Sequence, residues 1–427
     1  FQWASSDVFQ NQEKTYLGFS DDRSHDMLDS ARVAYETLMG LQHYDLIQIA
    51  GTDEESIKQE YRNIFLTKNS KESILEVQHS DDGNYDTGFG HKLDRDAAAP
   101  HFTGTTAAYT PTQNHVDEYG MRAGLTYDAQ HPYVGRDYRF YANILYDGST
   151  YNGHVMDIHY TREGNNEIPG EDLTAYGTST TAAVTRTGYY MGKFVNEKQQ
   201  INNDEAYASS QNYIIWRYAE VLLNLAESAC GAGGTYHAEG VKALKAVRGR
   251  VGYTSANNYG LDAAIETDRA KLFEAILYER QVELAFEGKR AYDMRRWMLF
   301  DGGVGQGALN ASWALSGFGG NTCTYLGVTP MNVEGTGSAN NDSDPIKNVE
   351  RPAALTLNEK IATEADGETI LDPAVSSICT FYDTYFSRKD ISLDGNVLDI
   401  NPYFQPRYYF FGLRQSAQQT NATLYQT

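Results

Sequence analysis

Between Asp268 and Trp297 the chain reads DRAKLFEAILYERQVELAFEGKRAYDMRRW, and it limits the fold more than any other stretch because it reads as a helix with charges on its apolar face. Phe273, Ile276, Leu277, Leu284 and Ala291 recur at the three- and four-residue spacing of one buried stripe. At about 100° per residue, Arg280 and Glu287 fall on that same stripe. A buried guanidinium or carboxylate is tolerated only when it is paired and hydrogen-bonded, since an isolated charge is costly to desolvate. Seven residues of helix rise about 10.5 Å, so these two cannot touch and each needs a partner from elsewhere. The stretch is therefore either an internal ion-pair network of Arg280, Glu283, Glu287, Arg290, Asp293 and Arg296 that fixes how the helix docks, or a catalytic acid with its electrostatic partner.

The first 80 residues carry helical patterns. Ser24 to Met39 places Met27, Ala31, Ala34, Tyr35 and Leu38 on one face, with Asp21, Asp22 and Ser24 able to cap its start and Gly40 placed to stop it. After Thr52 the sequence TDEE has the spacing of a capping box, and the helix that follows turns Ile57, Tyr61, Ile64 and Phe65 inward. The two are expected to form a helical hairpin. ESILEV, from Glu72 to Val77, reads as a short strand.

Two excursions are expected beyond it. Ser80 to Tyr109 is rich in Gly, Asp, Ala and Thr with scattered aromatics, and so long an irregular segment is often a binding surface. Tyr85, Phe89, His91 and Tyr109 are its candidate ligand-contacting side chains, unless those rings tuck back onto the body. From Phe300 to Asn348 the chain turns glycine-rich, with Trp313, Phe318 and Tyr325 interspersed. Trp313 and Tyr325 are expected either to stack against a ligand or, for Trp313, to plug the helical body.

Composition narrows the function. A chain of 427 residues, 41% hydrophobic and 22% charged, is globular, and no run approaches the length of apolar sequence that spans a membrane. Its formal net charge of −22 argues against nucleic acid, which needs clustered Lys and Arg. Cys230, Cys323 and Cys379 are too scattered for a disulfide framework or a paired-cysteine zinc site. Tyrosine is the outlier, with 32 Tyr against 17 Phe and 4 Trp. Tyr offers a flat apolar face and a hydroxyl, which suits half-buried packing as well as stacking on sugar rings or peptide backbones.

Catalytic and cofactor motifs are absent: there is no nucleophile elbow, no His-Glu-x-x-His, no phosphate loop and no dinucleotide fingerprint. No cofactor is expected. Asp81, Asp82, Asn84 and Asp86, and again Asn341, Asp342 and Asp344, have oxygens enough for a structural calcium, but neither group keeps the spacing of a helix-loop-helix site. Glu283 and Glu287 stand one helical turn apart, as a hydrolase pair could, yet their neighbours Arg280, Arg290, Arg295 and Arg296 read as a structural network.

ERQVELAFEGKRAYDMRRW resembles the signature of the SusD/RagB family, cell-surface nutrient-binding lipoproteins of Bacteroidetes polysaccharide utilisation. RYAEVLLNLAESA (Arg217 to Ala229) and ALKAVRGRVG (Ala243 to Gly252) resemble the family's preceding helix pair, and GYYMGKF (Gly188 to Phe194) the strand before it. PTQNHVDEY (Pro111 to Tyr119) and RDYRFYANILYDG (Arg136 to Gly148) resemble its central segment, while YFFGLRQS (Tyr409 to Ser416) and NATLYQ (Asn421 to Gln426) resemble its closing motif. Tyr138 stands where the family usually has proline, and Gly412, Leu413 and Arg414 replace its Pro-Ile-Pro.

The resemblance implies a mainly α, SusD-like fold, with tetratricopeptide-type helical hairpins packed on an irregular, loop-rich C-terminal domain with few short strands. Residues 1–80 would end the helical scaffold and 81–427 would form the C-terminal region, with loop excursions at about 80–110 and 300–348. Phe1 to Gln10 resembles a segment well inside the family's helical half, so the chain is expected to be a piece of a longer protein attached to the outer membrane by an N-terminal lipid. The implied function is non-catalytic capture of oligosaccharide and its delivery to a SusC-like, TonB-dependent transporter. Some family members handle peptides, so a peptide ligand stays open, as do a glycoside hydrolase and a pure scaffold.

Overall fold

In the computed structural model of the chain the described residues are 23–297, apart from 81–88, 98, 100–108, 128–131, 159, 164–165, 174–184, 186 and 199–208, together with the strand segments 326–329, 361–363, 369–371 and 387–390. Helices dominate. They are α1 (Ser24–Gly40), α2 (Glu54–Leu66), α3 (Leu93–Ala97), α4 (Gln113–Glu118), α5 (Tyr138–Asn143), α6 (Tyr218–Ala232), α7 (His237–Gly249), α8 (Arg269–Glu283) and α9 (Arg290–Arg296). The strands are short and pair only in antiparallel twos: β1 (Ser73–Val77) with β8 (Tyr213–Arg217), β2 (Ile144–Leu145) with β7 (Tyr190–Met191), β3 (Thr150–Tyr151) with β4 (His154–Val155), and β5 (Tyr160–Glu163) with β6 (Asn166–Pro169). Further along, β9 (Leu326–Thr329) pairs with β12 (Ser387–Asp390), and β10 (Ile361–Thr363) with β11 (Thr369–Leu371). No helix of the described residues is long and apolar enough to cross a membrane.

The expected helical hairpin is made by different helices. α1 packs mainly on α6, and α2 on α5; the closely packed consecutive pair is α6 with α7, turned by Gly233 and Gly234 at φ 68° and 57°. The reason lies in shape. Gly231 on α6 has no side chain, and the Leu28 Cδ1 atom of α1 sits 2.3 Å from where a Cβ would stand. α1 buries Leu28 and Ala31 in that contact, whereas Ala34 is exposed, contrary to the helical-face reading. Its N-cap is Arg23, with no capping side chain; Ser24 lies inside the first turn, and Asp21 and Asp22 lie outside the described residues.

α2 begins one residue later than TDEE suggests. Asp53 accepts the Ser56 N–H at 2.9 Å while Ser56 Oγ accepts from the Asp53 N–H, so the box is closed by Asp and Ser. Ile57, Tyr61, Ile64 and Phe65 are buried.

The core falls into three clusters: one among α6, α7 and α8 closed by Trp297, one around α2 and β7, and a third rich in tyrosine. In the third, Tyr119, Tyr133, Tyr141, Tyr146 and Tyr189 pack around Phe140, which is where part of the tyrosine excess goes. The segment expected to be loop from 80 to 110 contains α3 and is tied to the body by a bridge between His91 and Ser209.

The single helix expected over 268–297 is two. α8 stops at Glu283 because its carbonyl accepts from Arg217 Nη2 at 2.8 Å, Lys193 Nζ at 3.1 Å and Tyr61 OH at 3.2 Å. The chain then turns through Phe286 and Gly288 at φ 64° and 74° before α9 begins.

Candidate functional site

The charges that sequence placed on the apolar stripe are buried in two clusters, and the one that holds Glu287 is assembled from six separated stretches. Arg217 uses all five of its donors: Nε and Nη2 on Glu287 at 2.8 and 2.7 Å, Nη1 on Glu72 at 2.9 Å and on Glu283 at 2.8 Å, and Nη2 again on the Glu283 carbonyl. Arg250 joins Glu72 to Glu283, Arg139 joins Asp137, Glu279 and Glu283, and Arg248 reaches Glu279 at 2.7 Å. Lys193 holds Glu287 at 2.8 Å. The carboxylates Glu72, Asp137, Glu279, Glu283 and Glu287 thus face the cations Arg139, Lys193, Arg217, Arg248 and Arg250, and the charges cancel.

A second balanced cluster joins α6, α8 and α9. Arg280 meets Asp293 at 2.8 Å, and Arg296 meets Asp293 at 2.9 Å and Glu227, which also takes the Trp297 indole N–H at 3.1 Å. Arg290 opens α9 half-buried, where Glu118 and His115 feel its charge.

Burial pushes the Glu283 carboxyl up, but Arg250, Arg217 and Arg139 outweigh it and hold the group well below the carboxylate range. Glu287 is likewise raised by burial and brought below its ordinary value by Arg217 and Lys193. Asp293 is held at about 2, its burial overcome by Arg280 and Arg296. Burial lowers the Lys193 ammonium to about 8, with Glu287 opposing. A general acid would need a raised carboxyl in reach of substrate; these are ionised and enclosed by cations.

The ligand candidates lie elsewhere. Phe89, His91 and Tyr109 come together around residues 209–213, the approach to β8. His91 bridges to Ser209, its Nε2 lies 2.8 Å from the Gln211 carbonyl and its Nδ1 accepts from the Leu93 N–H at 3.2 Å, so both ring nitrogens serve the chain itself. Phe89 stands exposed beside it. Tyr109 is 47% exposed and walls a cavity of about 390 Å³ together with Leu93, Met191, Phe194, Tyr213 and Phe286; among the described residues no charged side chain lines it. Burial takes the His115 imidazole, whose ring packs on Phe286, down to about 4, so it is neutral at ordinary pH. Tyr85, Trp313 and Tyr325 lie outside the described residues, as do both candidate calcium stretches. Among the described residues no group of three or more His, Cys, Asp or Glu is placed to hold a metal.

Residue-by-residue reading missed the outer face of the β1–β8 ladder. Register shifts in that ladder set Leu75 opposite Trp216 and Val77 opposite Tyr213, and all four are exposed, Trp216 at 54% and Tyr213 at 38%. Apolar rows of this kind on a protein surface are common at contact sites. A larger open groove, of about 1200 Å³, runs past the end of α1 along α7; its rim carries Asp45, Glu239, Lys242 and Lys245, and its floor is the helical core.

A sequence model of the SusD family matches residues 71–426. A SusD-like protein P2 of Formosa agariphila is 41% identical over 93 residues, which is 21% of this chain and 18% of that protein. A crystal structure of a SusD-like protein from Bacteroides fragilis is 28% identical, with a TM-score of 0.45 over 64% of this chain and 52% of that one, so the chain spans about half of its length. The solved protein BT4246 is 16% identical, with a TM-score of 0.56 over 99% of this chain and 68% of its own, and it shares the fold. The charged residues of the motifs, Arg139, Lys193, Arg217, Arg250, Glu283 and Glu287, meet in one neutral buried cluster, and the match spans most of the residues: the chain belongs to the SusD family.

Proposed function

We propose that this protein captures glycans at the cell surface without cleaving them and passes them to a SusC-like, TonB-dependent transporter, held at the outer membrane by a lipid on its N-terminal part. The observation that carries this reading is the pair of exposed aromatics, Tyr213 and Trp216, standing outward on one short ladder beside Tyr109 and Phe89. Flat rings presented to solvent bind the apolar faces of sugars, and flanking amides and hydroxyls fix orientation. Behind these rings the buried Asn212 holds Gln78 at 2.8 Å and accepts from the His79 N–H at 2.9 Å, which fixes the edge of the ladder that presents them.

The absence of cleavage is supported by where the signature carboxylates go, since Glu283 and Glu287 are fully committed to guanidinium and ammonium partners. Leu75 and Val77 on the same face favour a second reading, a peptide ligand. Calorimetric titration against neutral polysaccharides, acidic glycans and peptides, followed by product analysis, tests both. Saturable binding of a glycan with no fragments is the expected result. Fragments would make the protein a hydrolase, and binding of peptide alone would replace the glycan.

A further inference from the structure

Two walls of the 390 Å³ cavity are phenylalanines in a backbone conformation that large side chains avoid, Phe194 at φ 69° and Phe286 at φ 64°. Such residues are strained and persist only where their surroundings over-determine them. Glycine would adopt the same backbone freely, and here both positions carry rings that line the cavity.

The surroundings that hold them are a single clamp. Lys193, the residue before Phe194, places Nζ 2.8 Å from Glu287 Oε1 and 2.9 Å from the Ala285 carbonyl, the residues on either side of Phe286. One buried ion pair therefore fixes both rings from behind. Phe194 rests edge-on against Phe65 at 5.0 Å, and Phe286 against His115 at 5.0 Å, while Tyr213 closes the mouth 6.0 Å from Phe194.

The cavity's chemistry is that of a sugar ring. Its lining offers aromatic faces and the hydroxyls of Tyr109, Thr110 and Tyr213, with no cation among the described residues for an anionic ligand, on a chain of net charge −22. Its size lies at the small end of the roughly 300–1,000 Å³ of ligand pockets, enough for a ring or two and not for a chain passing through. Tyr213 belongs both to the cavity and to the exposed ladder, so a ligand seated in one continues over the other.

We propose that this cavity binds the terminal ring of a neutral glycan, with the remainder of the chain lying along the ladder toward Trp216, so that the protein recognises chain ends. This rests on the glycan-capture reading. The test uses the full chain, the glycan bound most tightly in the calorimetric panel, and the methyl glycosides of glucose, galactose, mannose and glucuronic acid as competitors. One neutral methyl glycoside is expected to displace the glycan. Tyr109→Ala should weaken both ligands about tenfold, the loss of one aromatic face, while Leu41→Ala at the exposed end of α1 changes neither. Undiminished glycan binding in Tyr109→Ala, failure of every methyl glycoside to compete, or competition by the glucuronide alone would overturn the terminal-ring site and leave glycan capture standing. No glycan bound by the unaltered chain would remove both.

Discussion

Glu287 meets two cations at once, and its removal leaves Lys193 without its carboxylate and takes two of the five hydrogen bonds of Arg217. Glu287→Ala is expected to lower stability by about 3 to 5 kcal/mol, because Arg217 and Lys193 stay buried without it. Urea unfolding measures this; lost ligand binding at unchanged stability would contradict the structural role. Acid should act on the same groups. Glu283, Glu287 and Asp293 have folded pKa values below their unfolded ones, so their stabilisation is complete above about pH 4.3 and is lost progressively below it, for Asp293 as pH falls through about 2. The melting temperature is therefore expected to be level from pH 7 to about 5 and to drop below about 4; a level trace to pH 2 would refute this. Arg280 and Glu287 were legible because helical spacing put them on an apolar stripe. Glu72 was not, since it precedes a five-residue strand and owes its burial to Arg250, 178 positions further on.

At the scale of elements, the longer helices were readable and their partners were not. α2 showed as a capping box read one residue early, at Thr52, and Asp53→Ala at the N-cap itself should cost about 1 kcal/mol, seen as a lower melting temperature with unchanged helical content in the folded state. The packing of α1 on α6 depends on Leu28 fitting over Gly231, a complementarity between residues some two hundred positions apart that no local pattern carries. Gly231→Ala should force Leu28 aside and destabilise the pair. The α8–α9 break was hidden for a related reason. Apolar spacing runs straight through Leu284 and Ala291, and the donors that end α8 at Glu283 come from α2, β8 and the turn after β7.

Across the whole molecule, part of the candidate surface showed in composition. Phe89 and Tyr109 stood out in a loop-like segment, whereas Tyr213 and Trp216 lie in YIIWR, a run that reads as core until the register shifts with β1 turn both rings outward. Trp216→Ala should weaken glycan binding about tenfold at constant melting temperature, since the ring is half in water; a fall in melting temperature would return it to packing. If the ligand is neutral, its affinity should not change across salt, because screening acts on charge pairs and none is formed.

The neutral buried cluster also bears on how the chain reaches this state. Glu72, Arg139, Lys193, Arg217, Arg250 and Glu283 are drawn from stretches spread over more than two hundred residues, and a partial assembly holds a desolvated charge with no counterpart. Intermediates lacking one stretch are thereby penalised, and contacts this distant in sequence form slowly. The region from Glu72 to Glu287 is expected to fold in one step, and a protease cut or truncation anywhere inside it should unravel the whole rather than release a stable half.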